Sequence, residues 1–105
     1  MTPEELEETE QQLLHKAFIG RSADQLLNDP HLQRFFTDLE ASIYGMLRTD
    51  DEANAAHWHR MLRCADMLRE VMTEHIRTGR IAQNLMQQRA NMLERVSRFK
   101  WRKRA

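Results

Sequence analysis

Apolar residues recur along this chain every three or four positions, and nowhere do they alternate in strand fashion. Thr2 reads as an N-cap, Pro3 as a first helical residue and Glu5 as the return half of a capping box. The helix this opens carries Leu6, Leu13, Leu14, Ala17 and Phe18 on one face and is expected to stop at Gly20. Ser22 and Gln25 repeat the capping-box pattern and predict a short helical turn through Leu26 and Leu27. Asp29-Pro30 then restarts the chain. From there Leu32, Phe35, Phe36, Leu39, Ile43, Met46 and Leu47 form a continuous helical stripe.

Thr49 and Glu52 suggest a third capping box, opening a helix over residues 50–78 that Gly79 should end. Its apolar side is two adjacent rows. His57, Met61, Cys64, Leu68, Val71 and His75 make one, and Trp58, Leu62, Ala65, Met72 and Ile76 the other, with Arg69 interrupting the second. A double row is wider than a two-stranded seam and predicts packing against at least two helices. A last helix from Ile81 carries Leu85, Met92, Val96 and Phe99, with Met86 and Leu93 beside them and Gln88 as a polar interruption. The pattern therefore predicts an all-α protein of three to four amphipathic helices, forming a short bundle or an extended helical hairpin. Residues 1–105 read as a single domain with a basic end at 95–105. Gly45 lies inside the second stripe, where a close helix approach would explain it.

Charge changes the picture more than composition does. The net charge is zero, yet residues 1–52 hold twelve acids against four bases and residues 53–105 four acids against twelve bases. Residues 95–105 alone carry six bases and no acid. Such asymmetry predicts pairing between the halves, head-to-tail contacts between copies, or an anionic partner for the basic end. Arg95, Arg98, Lys100, Arg102, Lys103 and Arg104, with Phe99 and Trp101 among them, are the candidate nucleic-acid-binding residues. The alternative is a solvated helix end that answers its own dipole or the acidic start of a neighbour (Glu4, Glu5, Glu7, Glu8 and Glu10).

Catalytic chemistry finds no foothold in these residues, and no enzyme, metal or cofactor is expected. His57 and His59 at i and i+2 point to different sides of a helix. Cys64 stands on the His57 row but about 10 Å further along the axis, too far for one ion. As a nucleophile Cys64 would need an activating base; mid-helix, it reads as a small core residue. Being the lone cysteine it also fits a reducing compartment. Residues 17–27 have the outline of a helix–turn–helix opening around Gly20, but the helix that would read bases is acidic and aromatic. No 18-residue apolar run is present, so no membrane contact is expected, and the acidic start does not read as a signal peptide. Protein interaction is the expected use of the apolar rows, through Trp58, Met61, Leu62, Leu68, Met72 and Ile76. Leu68→Asp is expected to be severely disruptive, through a buried unpaired charge.

Phe18-Ile19-Gly20-Arg21 with Ala23, then Leu26, Leu27 and Leu32, then Ile76-Arg77-Thr78-Gly79 with Ala82 and Leu85, form a pattern over residues 17–86. It resembles a small helical protein found among the head and packaging genes of tailed bacteriophages. The resemblance rests on positions of glycine and apolar residues and transfers no functional residue. It implies a non-enzymatic, multi-copy part of virion assembly or genome packaging, in the cytoplasm of a bacterial host or in the virion. Alternatives are a packaging accessory that binds nucleic acid through the basic end, and a small helical inhibitor of a host protein. The Glu-rich start and Arg-rich end match no pattern of that family.

Overall fold

The computed structural model describes residues 8–104, with side chains through residue 99. Among these residues the chain is all-α, with helices α1 (Glu10–Leu27), α2 (Pro30–Thr49) and α3 (Ala55–Arg104), and a single 3-10 turn at Glu52–Asn54 before α3. The fold is the extended hairpin, not the compact bundle. Its Cα extents are 81 × 29 × 16 Å and its radius of gyration is 22.3 Å, against about 13 Å for a compact domain of this length. One long helix forms one arm. The other arm is α1 followed by α2, laid antiparallel along it, with almost no contact between α1 and α2. A slab one helix thick leaves both of its broad faces open.

Several expected helix ends are not ends. The helix bearing Leu13 begins at Glu10, where Thr9 accepts from the Gln12 amide and Gln12 accepts in return from the Thr9 amide. Thr2, Pro3 and Glu5 lie outside the described residues. Gly20 does not stop this helix, which runs on to Leu27, so Ser22 caps nothing and residues 17–27 contain no helix–turn–helix. Asp29 caps α2 as expected, accepting from the amides of His31 and Leu32, with Pro30 first in the helix.

The expected box at Thr49 is absent, because the Thr49 hydroxyl donates to the Gly45 carbonyl within α2. Asp50 organises the turn between the arms instead. Its carboxylate accepts from the Asp51 amide, from the Asn54 side chain and from the Trp58 indole N–H at 2.9 Å. These bonds, the Trp58 one foremost, hold the Asp50 carboxyl below its ordinary value.

Gly79 does not end the long helix either; α3 is 50 residues long in all, about 75 Å, and runs on to Arg104. Both glycines serve one purpose. A Cβ on Gly20 would stand 2.8 Å from the Gly79 Cα and 2.8 Å from the His75 carbonyl oxygen, and one on Gly79 would stand 2.8 Å from the Gly20 Cα. Here α1 and α3 cross in backbone contact. Around the crossing Leu13, Ala17, Ala82 and Leu85 form the buried cluster, with Met86 packed on it and Leu13 wholly inaccessible. On α3 the buried positions Ile76, Gly79, Ala82 and Leu85 step by three. Arg89 donates to the Glu8 carbonyl and Lys16 pairs with Glu8, fixing the start of α1. Gly45, by contrast, has nothing within 4 Å of an added Cβ, so the close approach expected there does not exist.

Candidate interaction surface

The two rows on α3 have different fates. Trp58, Leu62, Ala65, Met72 and Ile76 turn toward the other arm and are buried or half-buried. Facing them on α2 are the two buried residues Phe36 and Ile43. Arg69, read as an interruption, completes this row. Its guanidinium lies 4.5 Å from the centre of the Phe36 ring and pairs with Glu40, with Asp66 at 3.7 Å. A cation on an aromatic face with a carboxylate beside it is compatible with an apolar seam, because the long stem contributes packing while the head is neutralised.

The other row is bare. Met61, Cys64, Leu68 and Val71 are exposed, with His57 and His75 at its ends, and Leu68 and Val71 each keep 51% of their accessible surface. Met61 and Leu68 therefore stand on the open face. Trp58, Leu62, Met72 and Ile76, the other four residues assigned to interaction, belong to the internal seam. The double row is indeed met by two helices, but α2 and α1 meet it one after the other along α3, so most of the His57 row stays uncovered. Cys64 is accordingly a surface residue and not a core one. Leu68→Asp in a single chain would bury no charge, so its severity depends on a partner that covers this row.

The α2 stripe divides in the same way. Phe35, at 65% exposure, and Leu39 and Met46 are exposed. At 100° per residue they lie about 50–90° round α2 from the Phe36–Ile43 line. The bare row of α3 lies about 100° round from its own seam row, in the same rotational sense. In antiparallel helices that face each other, equal offsets of one sense fall on one side of the pair. Phe35, Leu39 and Met46 therefore join Met61, Cys64, Leu68 and Val71 in one apolar face. Sequence spacing alone missed the three α2 residues as surface candidates, since their stripe reads as wholly buried.

At the far end α3 continues to Arg104, so the basic end is helical. Arg95 and Arg98 are exposed, and Arg98 pairs with Glu94 four residues back. Met92, Leu93 and Val96 are exposed on the same stretch and line a shallow apolar groove with Arg89. The side chains of Lys100, Trp101, Arg102, Lys103 and Arg104 lie outside the described residues. Among the described residues no three His, Cys, Asp or Glu side chains gather as metal ligands do, and no helix is long and apolar enough to cross a membrane. No family model, curated protein or solved structure matches this chain.

Proposed function

We propose that this chain is a non-enzymatic assembly protein that acts by burying one broad face of its hairpin against another protein surface. The observation that carries the reading is the face just described: seven exposed side chains, Phe35, Leu39, Met46, Met61, Cys64, Leu68 and Val71, on one side of a slab one helix thick. Contiguous apolar surface of this kind marks an interaction site, and methionine and aromatic side chains supply adaptable area. The tailed-bacteriophage setting, as a multi-copy virion, portal-associated or packaging-associated component, rests on the resemblance over residues 17–86.

The test is sedimentation velocity of the purified chain, and of its mixtures with candidate partners, for wild type and Leu68→Asp. The expected result is an assembled species that Leu68→Asp dissolves while far-UV circular dichroism keeps its helical signal. Assembly unaffected by Leu68→Asp overturns the use of this face. The competing use of the basic end is a packaging accessory bound to duplex DNA. It predicts a log–log salt slope of about −4 to −5 for contact with some five phosphates, lost on removing residues 95–105.

A further inference from the structure

We infer that the occupant of this face is a second copy of the same chain, docked antiparallel through α3 against α3 and α2 against α2 to complete a four-helix bundle. The inference rests on the assembly reading above and names its partner. Residues 57, 61, 64, 68, 71 and 75 step by four and three without a break, the spacing whose side chains pack as knobs into the holes of another helix. The same heptad stripe continues on α3 as Ala82, Leu85 and Arg89, and there α1 already occupies it; only the stretch 57–75 is open. The open stretch stands roughly a quarter-turn from the seam, as each helix of a square bundle presents its two contact faces.

The face is also self-complementary, which a twofold contact requires. On the rim of the heptad stripe away from α2 stand Arg60, Met67 and Glu74, each seven residues from the next. An antiparallel pairing centred on Met67 sets Arg60 of one copy against Glu74 of the other, twice, with Met67 facing its counterpart. The same register places Cys64 in a layer with Leu68, and Met61 in a layer with Val71. The α2 side agrees independently. The contacts of Arg69 with Phe36 and Glu40, and of Trp58 with Asp50, place residues 40–41 of α2 beside residue 67 of α3. Phe35 and Met46 lie on either side of that point, so one axis brings Phe35 of each copy onto Met46 of the other, with Leu39 near the axis. Glu74 is already steadied by Arg77 at 2.8 Å, and Arg60 is exposed. Like charges would meet in any register centred on Arg60.

The register is testable by cross-linking in the full chain with Cys64→Ser as background. Met67→Cys should oxidise to a covalent dimer at low micromolar concentration. A mixture of Arg60→Cys and Glu74→Cys chains should give the heterodimer, and Arg60→Cys alone should give none. In sedimentation equilibrium Arg60→Glu should weaken the dimer roughly tenfold, and adding Glu74→Arg in the same chain should restore it. Failure of that restoration, or cross-linking through Arg60→Cys alone as readily as through Met67→Cys, overturns the register. A wild-type chain that stays monomeric at high micromolar concentration overturns the inference. If that monomer nonetheless binds a different protein in a manner abolished by Leu68→Asp, the assembly reading survives without it. If Leu68→Asp is silent there too, both fall.

Discussion

Where α1 crosses α3, two glycine backbones touch and small residues close around them; where α2 runs beside α3, large side chains hold the helices apart. The first region buries Leu13, Ala17, Ala82 and Leu85 at the crossing, while Leu14 and Phe18 of α1 stay exposed beside it. The second buries Phe36, Ile43 and Ala65, relies on Arg69 to bridge the seam, and leaves a second apolar row uncovered on each helix. Small residues let the two helix backbones meet at the crossing. Bulky residues stand the helices off and leave the neighbouring rows uncovered. One region is held by backbone contact within the chain, and the other carries the face proposed above as an interface.

The largest effect should come from breaking the glycine crossing. Gly79→Leu places its Cβ 2.8 Å from the Gly20 Cα and 3.0 Å from the Lys16 carbonyl oxygen, both backbone atoms that cannot swing away. The helix gains about 1 kcal/mol from losing a glycine, but α1 must lift off α3. Overpacking against rigid neighbours costs about 3 kcal/mol, so a net loss of about 2 kcal/mol in urea unfolding is expected. A neutral or stabilising result would mean that α1 is not seated on α3 in solution.

That crossing was hidden in the sequence for a physical reason. Gly20 and Gly79 each read as helix stops, because isolated glycines favour C-terminal caps. Only when α1 is laid against α3 do two local penalties become one shared contact. Thr49 failed similarly: its hydroxyl had a carbonyl available in the preceding turn and used it. What was legible was the helical period itself, the Asp29-Pro30 restart and the two adjacent rows on α3, since these depend on local spacing. Which row faces inward was not legible. The apolar content of the rows is similar, and the choice rests on where Phe36 and Glu40 meet Arg69.

Arg69 gives the second test, now of the open region. Arg69→Ala removes the cation from the Phe36 ring, worth about 0.5–1 kcal/mol, and takes the ion-pair partner from Glu40, whose buried Oε1 accepts no hydrogen bond. Because Arg69 is 37% exposed, solvent screens its pair with Glu40, which adds at most about 1 kcal/mol. The expected loss is roughly 1–2 kcal/mol, partly recovered in Arg69→Met, which restores the stem without the charge. A double-mutant cycle with Glu40→Gln should show coupling between the two sites. Strict additivity would mean that the pair does not hold α2 to α3.

The smallest effect should have the opposite sign. Gly45 lies within α2 on neither kind of contact: nothing stands within 4 Å of an added Cβ. Gly45→Ala therefore carries none of the penalty of Gly79→Leu and keeps the gain in helix propensity, about 0.5–1 kcal/mol. Trp58 reports on this region, because its indole bonds Asp50 across the turn between the arms. With Trp101→Phe as background, Trp58 fluorescence should show a thermal midpoint a few degrees higher in Gly45→Ala. The same probe distinguishes whether the regions unfold together. If the hairpin is one cooperative unit, Gly79→Leu lowers the Trp58 midpoint by as much as it lowers the midpoint seen by circular dichroism. The sparse contact between α1 and α2 argues for the other outcome, in which Gly79→Leu chiefly moves the dichroism transition and Gly45→Ala moves the Trp58 transition. A Gly45→Ala variant with a lowered midpoint would place an unseen neighbour against α2, and the contrast between the two glycine positions would then have to be redrawn around it.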